Sequence, residues 1–476
     1  MSSILNQPLS ASEVHAALDV LAQHDTDPNE ISILSGRFDP GQSVSDVAKA
    51  AYLRYLDQNV LYFNLFPSLM QMEGDIVGAV KELLRGTDTV CGNFTSGGTE
   101  SIMLAMKAAR DFSKATRPEI AQPNIVLPIT AHPAFHKAAQ YLGLEIIVTP
   151  VDTTGFRADV QAFADAINSQ TIVGVGSAPN FSHGTVDPIE EMSIIAQEKG
   201  ILFHVDACVG GLYLSHLRMA GRFDKAIDFS LPGVTSISTD LHKYGYTPKN
   251  ASVVLFRHSQ LRQNAWFVNS QTTEYPVFNT TVQSTRTAGP IAAAWATFRL
   301  LGHDGYMRMV NRVQDTATAL IEQLQNKPHF YVMADPEMSM LTIASDSINV
   351  FELSDRMLDK GWTTVPQFAC AGGPENLHVN VYEGVVDRME DFANDLIQAA
   401  AELAEAGTSV DIDAITAAVH DAQYLPMDEM LGKLLPLVEL EGQGLPRNMA
   451  TMNTILNLLP GQTRDDILLT YMSLIQ

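Results

Sequence analysis

Cysteine is scarce in this chain, with three in 476 residues. Cys91, Cys208 and Cys370 lie far apart, match no metal-ligand spacing and cannot all pair, so a disulfide scaffold and a metal site are not expected, and a reducing, cytoplasmic location is. Positive charge is scarce too: 30 Lys and Arg stand against 54 Asp and Glu, a formal charge of −24. Nucleic acid and anionic membranes both require a basic surface, so neither is an expected partner, and an anionic substrate would need a local cationic pocket. No apolar run reaches the roughly 20 residues that cross a bilayer. The opening MSSILNQPLSASEVHAALDV lacks the basic start and apolar centre of a secretory leader. Internal repeats and low-complexity tracts are missing as well. What is present is an ordinary apolar content of 46%, enough for two or three lobes with sizeable cores in a soluble protein.

From residue 71 onward, short apolar runs alternate with amphipathic stretches. NIVLPI (124–129), EIIVTP (145–150), TIVGVGS (171–177) and ILFHVDA (201–207) read as strands. QMEGDIVGAVKELLRG (71–86), HPAFHKAAQYLG (132–143), RADVQAFADAI (157–167) and PIEEMSIIAQEKG (188–200) read as helices. That alternation predicts an α/β fold with a mostly parallel sheet covered by helices on both faces, and a site at the carboxyl ends of its strands. VTSISTD (234–240) and ASVVLFR (251–257) extend the sheet, and a long helix starts near Pro290. The expected divisions are an N-terminal arm or small lobe (1–70), a large lobe (71–300), a smaller α+β lobe (301–408) and a helical segment (409–476) broken at EGQGLPRN.

Four polar stretches stand at predicted strand ends or helix starts. In NFTSGGTES (93–101), Gly97 and Gly98 let the backbone approach a ligand, and Thr99 opens a helix whose free N–H groups favour an anion such as phosphate. Alone, this reads equally as a glycine turn and an N-cap. His132, directly after a strand in ITAHPAFHKAA (129–139), would by itself be structural. In ILFHVDACVGG (201–211), Asp206 ends an apolar strand, and a buried carboxylate there wants a cationic partner. In STDLHKYGYTPKN (238–250), Lys243 follows a strand beside His242; a desolvated lysine, or one beside another cation, loses proton affinity and can form a Schiff base. A phosphate for a helix start, a pyridinium nitrogen for a carboxylate, a flat ring for an imidazole and an aldehyde for a lysine together describe pyridoxal phosphate.

TSGGTES (95–101), TAHPAFHKAA (130–139), SAPNFSHGTVDPIEE (177–191), HVDACVGG (204–211) and STDLHKYGYTPKNASVVL (238–255) closely resemble the matching segments of sphingosine-1-phosphate lyases, within the group II pyridoxal phosphate decarboxylases. The resemblance runs from about residue 30 to beyond 300, and it implies the aspartate-aminotransferase type fold (fold type I) with pyridoxal 5'-phosphate as cofactor. By resemblance, Lys243 bonds the cofactor aldehyde, Asp206 pairs with the pyridine nitrogen, His132 stacks on the ring, and Gly98, Thr99 and His242 hold the phosphate. Lys249, Tyr244 or Tyr246 would remove the proton of a substrate 3-hydroxyl, so that a retro-aldol step releases a long-chain aldehyde and phosphoethanolamine. Packing is the plain alternative for both tyrosines, and surface solvation for Lys249. The segment STRTAG (284–289) would come from a second subunit, with Thr285 near the cofactor phosphate, which implies a homodimer; Arg286 would bind a substrate carboxylate or form a structural ion pair.

The departures from the family pattern fall where the substrate is expected. In NVLYFNLFP (59–67), Tyr62 and Phe63 take the places of a histidine and a proline, and in SGRFD (35–39) Asp39 takes that of a tyrosine facing the substrate phosphate. STRTAG also lacks the usual proline and glycine after its arginine. A carboxylate near a phosphate costs binding energy unless a cation intervenes. The leading expectation is thus a dimeric carbon–carbon lyase without a membrane anchor. The alternative is an amino-acid decarboxylase on the same scaffold, with Asp39 selecting a cationic group. A third reading is a cofactor-binding protein without turnover, which intact Lys243, Asp206 and His132 argue against.

Overall fold

The computed structural model describes residues 4–6, 8–28, 30–62, 64–272, 275–438 and 448–475. Phe63 and all of the EGQGLPRN break except Asn448 lie outside these.

The centre is a seven-stranded sheet built from β1 (Cys91–Thr95), β2 (Asn124–Pro128), β3 (Glu145–Thr149), β4 (Thr171–Ser177), β5 (Leu202–Asp206), β6 (Ser236–Asp240) and β7 (Ser252–Phe256), in the order β1-β7-β6-β5-β4-β2-β3. All neighbouring pairs from β3 to β6 are parallel, while β7 runs antiparallel to both β6 and β1. The alternation of runs and helices therefore gives the mostly parallel sheet that the sequence predicts. Every residue of β4, β6 and β7 is buried, as continuous apolar or small-residue strands must be when helices cover both faces. One consequence matters for the site. Thr95, Pro128, Asp206 and Asp240 are carboxyl-terminal residues of strands running the same way, so the segments that follow them open at one edge of the sheet.

The smaller lobe carries a four-stranded antiparallel sheet of β8 (Tyr331–Met333), β9 (Met340–Ala344), β10 (Val365–Gln367) and β11 (Asn376–Asn380), in the order β8-β9-β11-β10. A helix over Gly289–Leu324 connects the two lobes; it bends at Gly302, whose φ of 54° and ψ of −174° leave the helical region. This helix crosses the boundary expected at residue 300. The N-terminal region is tied in from Ser32 onward, while its helix Ala11–Leu21 buries no residue, as an arm would. Ser32–Ile33 pairs in parallel with Trp362–Thr363 of the smaller lobe, and Leu34 is fully buried. Helical periodicity and strand alternation are local signals, and neither could reveal this pairing across 330 residues of chain.

The C-terminal helices Ile412–Ala422, Met427–Leu434, Ala450–Leu458 and Gly461–Ile475 pack onto the smaller lobe. Asp355 accepts hydrogen bonds from the amides of Met449 and Ala450, both at 2.9 Å, at the start of the third of these helices.

Candidate active site

The segments after β1, β2, β5 and β6 enclose a cavity of about 270 Å³, lined among others by Gly98, Thr99, His132, Asp206, His242 and Lys243. These are six of the seven residues expected to hold the cofactor, brought together from four separate stretches of sequence.

At one end, the chain turns from β1 into the helix Gly98–Thr116. Gly97 has a φ of 156°, a conformation other residues rarely adopt. A Cβ on Gly98 would stand 2.8 Å from Cys208 Sγ and 3.0 Å from both carboxylate oxygens of Asp240. Glycine is thus required by close approach, and the first amide groups of the helix face the cavity without a partner in the preceding turn. Glu100 fixes this turn by accepting from Ser96 N at 2.6 Å and from Val282 N at 2.8 Å.

At the other end is Asp206, 7% exposed, whose Oδ1 accepts from Cys208 N at 3.0 Å and Ser238 Oγ at 3.3 Å. Burial, together with Asp206 and Asp240 nearby, raises the Cys208 thiol well above the usual range, so it stays a thiol and an inert wall. His132 Nδ1 accepts from Ala134 N at 3.1 Å, which places its remaining ring proton on Nε2. Desolvation lowers the His132 pKa, opposed by Asp206 and aided by Lys243. A neutral, flat ring follows. His242 is similar: its Nδ1 accepts from Ala251 N at 3.3 Å, and burial, opposed by Asp240, lowers its pKa. Its Cε1 would lie 3.5 Å from a Cβ on Gly97, which sets the imidazole beside the glycine turn.

Lys243 departs from expectation in its charge. Burial does push its pKa down, but the Asp240 carboxylate, aided by Asp206, outweighs that effect and raises it above the usual lysine range. Its Nζ lies 3.1 Å from Asp240 Oδ2. The expected loss of proton affinity is therefore corrected: the neighbour that decides the matter is a carboxylate, not a cation. Sequence reading missed Asp240. The available signal was its place at a strand end three residues before the lysine.

The two tyrosines are also corrected. Tyr244, 1% exposed, donates to Val381 O at 3.0 Å and lies 2.8 Å from Ser339 Oγ. Tyr246, 2% exposed, accepts from Glu383 N at 3.3 Å. Burial raises both phenols, and their hydroxyl groups are engaged with the smaller lobe, so packing describes them and proton transfer in the cavity does not. Lys249 reaches out of its loop to Gly36 O and lies 5.7 Å from the Phe38 ring centroid. Desolvation and the charge of Lys243 lower its pKa.

Asp39 does not stand as a free carboxylate. Arg37 binds it at 2.6 Å, and its other oxygen accepts from Gly41 N at 2.8 Å. The intervening cation that the sequence could only require is present two residues away. Tyr62 is 46% exposed, and Thr285 is exposed outside the Lys243 cavity. Arg286 lies 5.9 Å from the Phe94 ring centroid and lines a neighbouring cavity of about 190 Å³ with Leu61, Glu73 and Phe278. Among the described residues no group of side chains is arranged to hold a metal ion, and no helix is long and apolar enough to cross a membrane.

The cavity meets each demand of pyridoxal phosphate with a group already on its wall. A glycine cradle at a helix start suits the phosphate, and buried Asp206 suits the ring nitrogen. His132 suits the ring face, and Lys243 suits the aldehyde.

Comparison with known proteins agrees with this chemistry. The model of the pyridoxal-dependent decarboxylase conserved domain matches residues 34–344, and that of a C-terminal HTH domain of pyridoxal-dependent enzymes matches residues 394–474. Sphingosine-1-phosphate lyase of Arabidopsis thaliana is 37% identical over 346 residues, covering 72% of this chain and 62% of the plant protein. The chain thus spans less than two thirds of that relative's length. The structure of Burkholderia pseudomallei sphingosine-1-phosphate lyase superposes with a TM-score of 0.80 at 30% identity, covering 89% of this chain and 97% of that one. A protein of Methanothermobacter thermautotrophicus named "Probable L-tyrosine/L-aspartate decarboxylase" is 32% identical over 66% of this chain and 84% of its own length.

Proposed function

The chain belongs to the pyridoxal-dependent decarboxylase family, with pyridoxal phosphate as its cofactor, and on that premise we propose that it is a carbon–carbon lyase of the sphingosine-1-phosphate lyase kind. Its substrate is a phosphorylated long-chain amino alcohol and its products are an aldehyde and phosphoethanolamine. The cofactor, when bound, supplies an electron sink for the pair left on carbon as the carbon–carbon bond breaks. The chain's own residues do the rest. Asp206 keeps the ring nitrogen protonated, the helix start and His242 hold the phosphate, and His132 covers the ring. The 3-hydroxyl must lose a proton as the bond breaks. Lys249 is the candidate base that the resemblance leaves, because Tyr244 and Tyr246 are engaged elsewhere; its Nζ, which does not line the cavity here, donates to Gly36 O and would have to turn inward.

The observation that carries this substrate class is the Arg37–Asp39 ion pair. A lone carboxylate there would repel a substrate phosphate; a paired one removes that repulsion. The reading includes a homodimer in a cytoplasmic location. Two exposed antiparallel strands, Phe267–Asn269 and Val277–Asn279, set Val268 opposite Phe278 at 65% and 39% exposure beside the STRTAG loop, an apolar pair suited to a second copy.

The test is mass spectrometry of products after the cofactor-loaded protein meets a phosphorylated sphingoid base, with Lys243→Ala as control. The expected products are a long-chain aldehyde and phosphoethanolamine, absent from the control. No aldehyde, from protein that retains the cofactor's visible absorption, overturns the lyase; carbon dioxide released from amino acids would then identify the decarboxylase.

A further inference from the structure

The cavity holds a second buried carboxylate whose role is separate from that of Asp206. Asp240 ends β6 at 3% exposure. Its Oδ2 lies 3.1 Å from Lys243 Nζ and 3.6 Å from His242 Nε2, while its buried Oδ1 has no hydrogen-bond partner among the described residues. Asp206, by contrast, is held by an amide and a hydroxyl. A carboxylate so enclosed is stable only beside a cation, and the turn from strand to loop delivers one three residues later. Both Asp240 oxygens also touch the space that a side chain on Gly98 would fill, so the carboxylate stands between the glycine cradle and the lysine.

We propose that Asp240 is the positioning residue for Lys243, holding its ammonium group at the strand end whenever the nitrogen is not bonded to the cofactor aldehyde. Attachment then requires the ammonium to release one proton, after which nitrogen bonds to the aldehyde carbon and the aldehyde oxygen leaves as water. When a substrate amine takes over that carbon, the freed Lys243 nitrogen regains its proton and returns to Asp240.

The other charged or titratable groups facing the pair are Asp206 and Cys208 from the end of β5, His132 from beyond β2, Glu100 at the helix start, and His242 and Lys249 from the lysine's own loop. Glu100 is engaged by two backbone amides, both histidines are shifted towards neutrality, and Cys208 remains a thiol. Asp240 therefore dominates. Burial alone would raise its own pKa, but the Lys243 ammonium brings it below the usual range.

This inference rests on the cofactor and not on the substrate, so its test uses none. The full chain, freed of cofactor, is mixed with pyridoxal phosphate across a pH series and trapped with borohydride, and attachment at Lys243 is read by peptide mass spectrometry. Asp240→Asn is expected to move the midpoint of attachment down by about one pH unit, and Asp240→Glu to restore it. Attachment reduced equally at every pH, with the midpoint unmoved, would overturn the proposal. Should Asp240→Asn not fold, Lys243→Met gives a second measurement. With its partner removed, Asp240 takes up a proton at higher pH in the folded state, so the melting-temperature deficit of this variant should be largest at high pH and close as pH falls. A deficit independent of pH would also overturn it.

Discussion

Each side chain in the cavity is fixed by a neighbour, so single substitutions have readable consequences. Gly98→Ala would drive a methyl group against Cys208 Sγ and the Asp240 carboxylate. Cofactor affinity, followed by fluorescence titration, is expected to fall about tenfold or more, equivalent to about 1.4 kcal/mol. Adding Cys208→Ala should recover part of the loss, because the closest obstacle at 2.8 Å is then gone. Arg37→Ala leaves Asp39 unpaired at the proposed anion pocket. Under the lyase reading KM for a phosphorylated substrate should rise several-fold while kcat changes less, measured by steady-state kinetics. An unchanged KM would remove Asp39 and Arg37 from the substrate site.

Among the elements, the helix Gly289–Leu324 joins the lobes and also reaches the site: Tyr306, four residues past the bend, donates to Gly245 O at 2.8 Å within the lysine loop. Gly302 makes that bend in a backbone region that suits glycine almost alone. A Cβ there meets nothing within 4 Å, so Gly302→Ala isolates the backbone effect from any clash. Denaturant titration should show a loss of about 1–3 kcal/mol. The C-terminal helices carry a charge pattern of their own. Their matched model carries the HTH label, yet residues 394–474 contain twelve acidic and three basic side chains. Phosphate contacts supply most of the affinity for DNA, and this surface would repel it. No retention on duplex DNA is expected in an electrophoretic mobility assay at low salt.

For the whole molecule, pH should act through buried histidines. His183, His204, His216 and His378 are at most 6% exposed, and burial pushes each pKa down to about 4. The unfolded chain takes up protons on these groups near pH 6.5 while the folded chain does not, so stability is lost as pH falls from about 6.5 towards 4, on the order of a few kcal/mol each at most. Asp187 works the other way: burial raises it to about 6, which favours the folded state towards lower pH. These histidines, joined by His132 and His242 and opposed by Asp187 and Asp355, predict a melting temperature that drops from pH 7 to pH 4 in calorimetry. The proposed homodimer should appear in light scattering as twice the 51.9 kDa chain. A charge placed in the exposed apolar pair, Val268→Glu, should shift it towards the monomer.

Local pattern was enough to determine the parallel sheet, the crossover helices and the cofactor, because strand length, helical period and a glycine turn before a helix are properties of short stretches. Lys243, Asp206, His132, Gly98 and Thr99 were legible as one set because a single ligand makes several distinct chemical demands at once, whereas His242 joined them only through the family resemblance. Tertiary structure alone decided what those residues touch. It gave Lys243 a carboxylate partner in Asp240, paired Asp39 with Arg37, engaged Tyr244 and Tyr246 with the smaller lobe, and tied Ser32–Ile33 to a strand at Trp362–Thr363. The physical reason is the same in each case. Charge, desolvation and hydrogen bonding act through space over a few ångströms, and distance along the chain does not report which groups come that close.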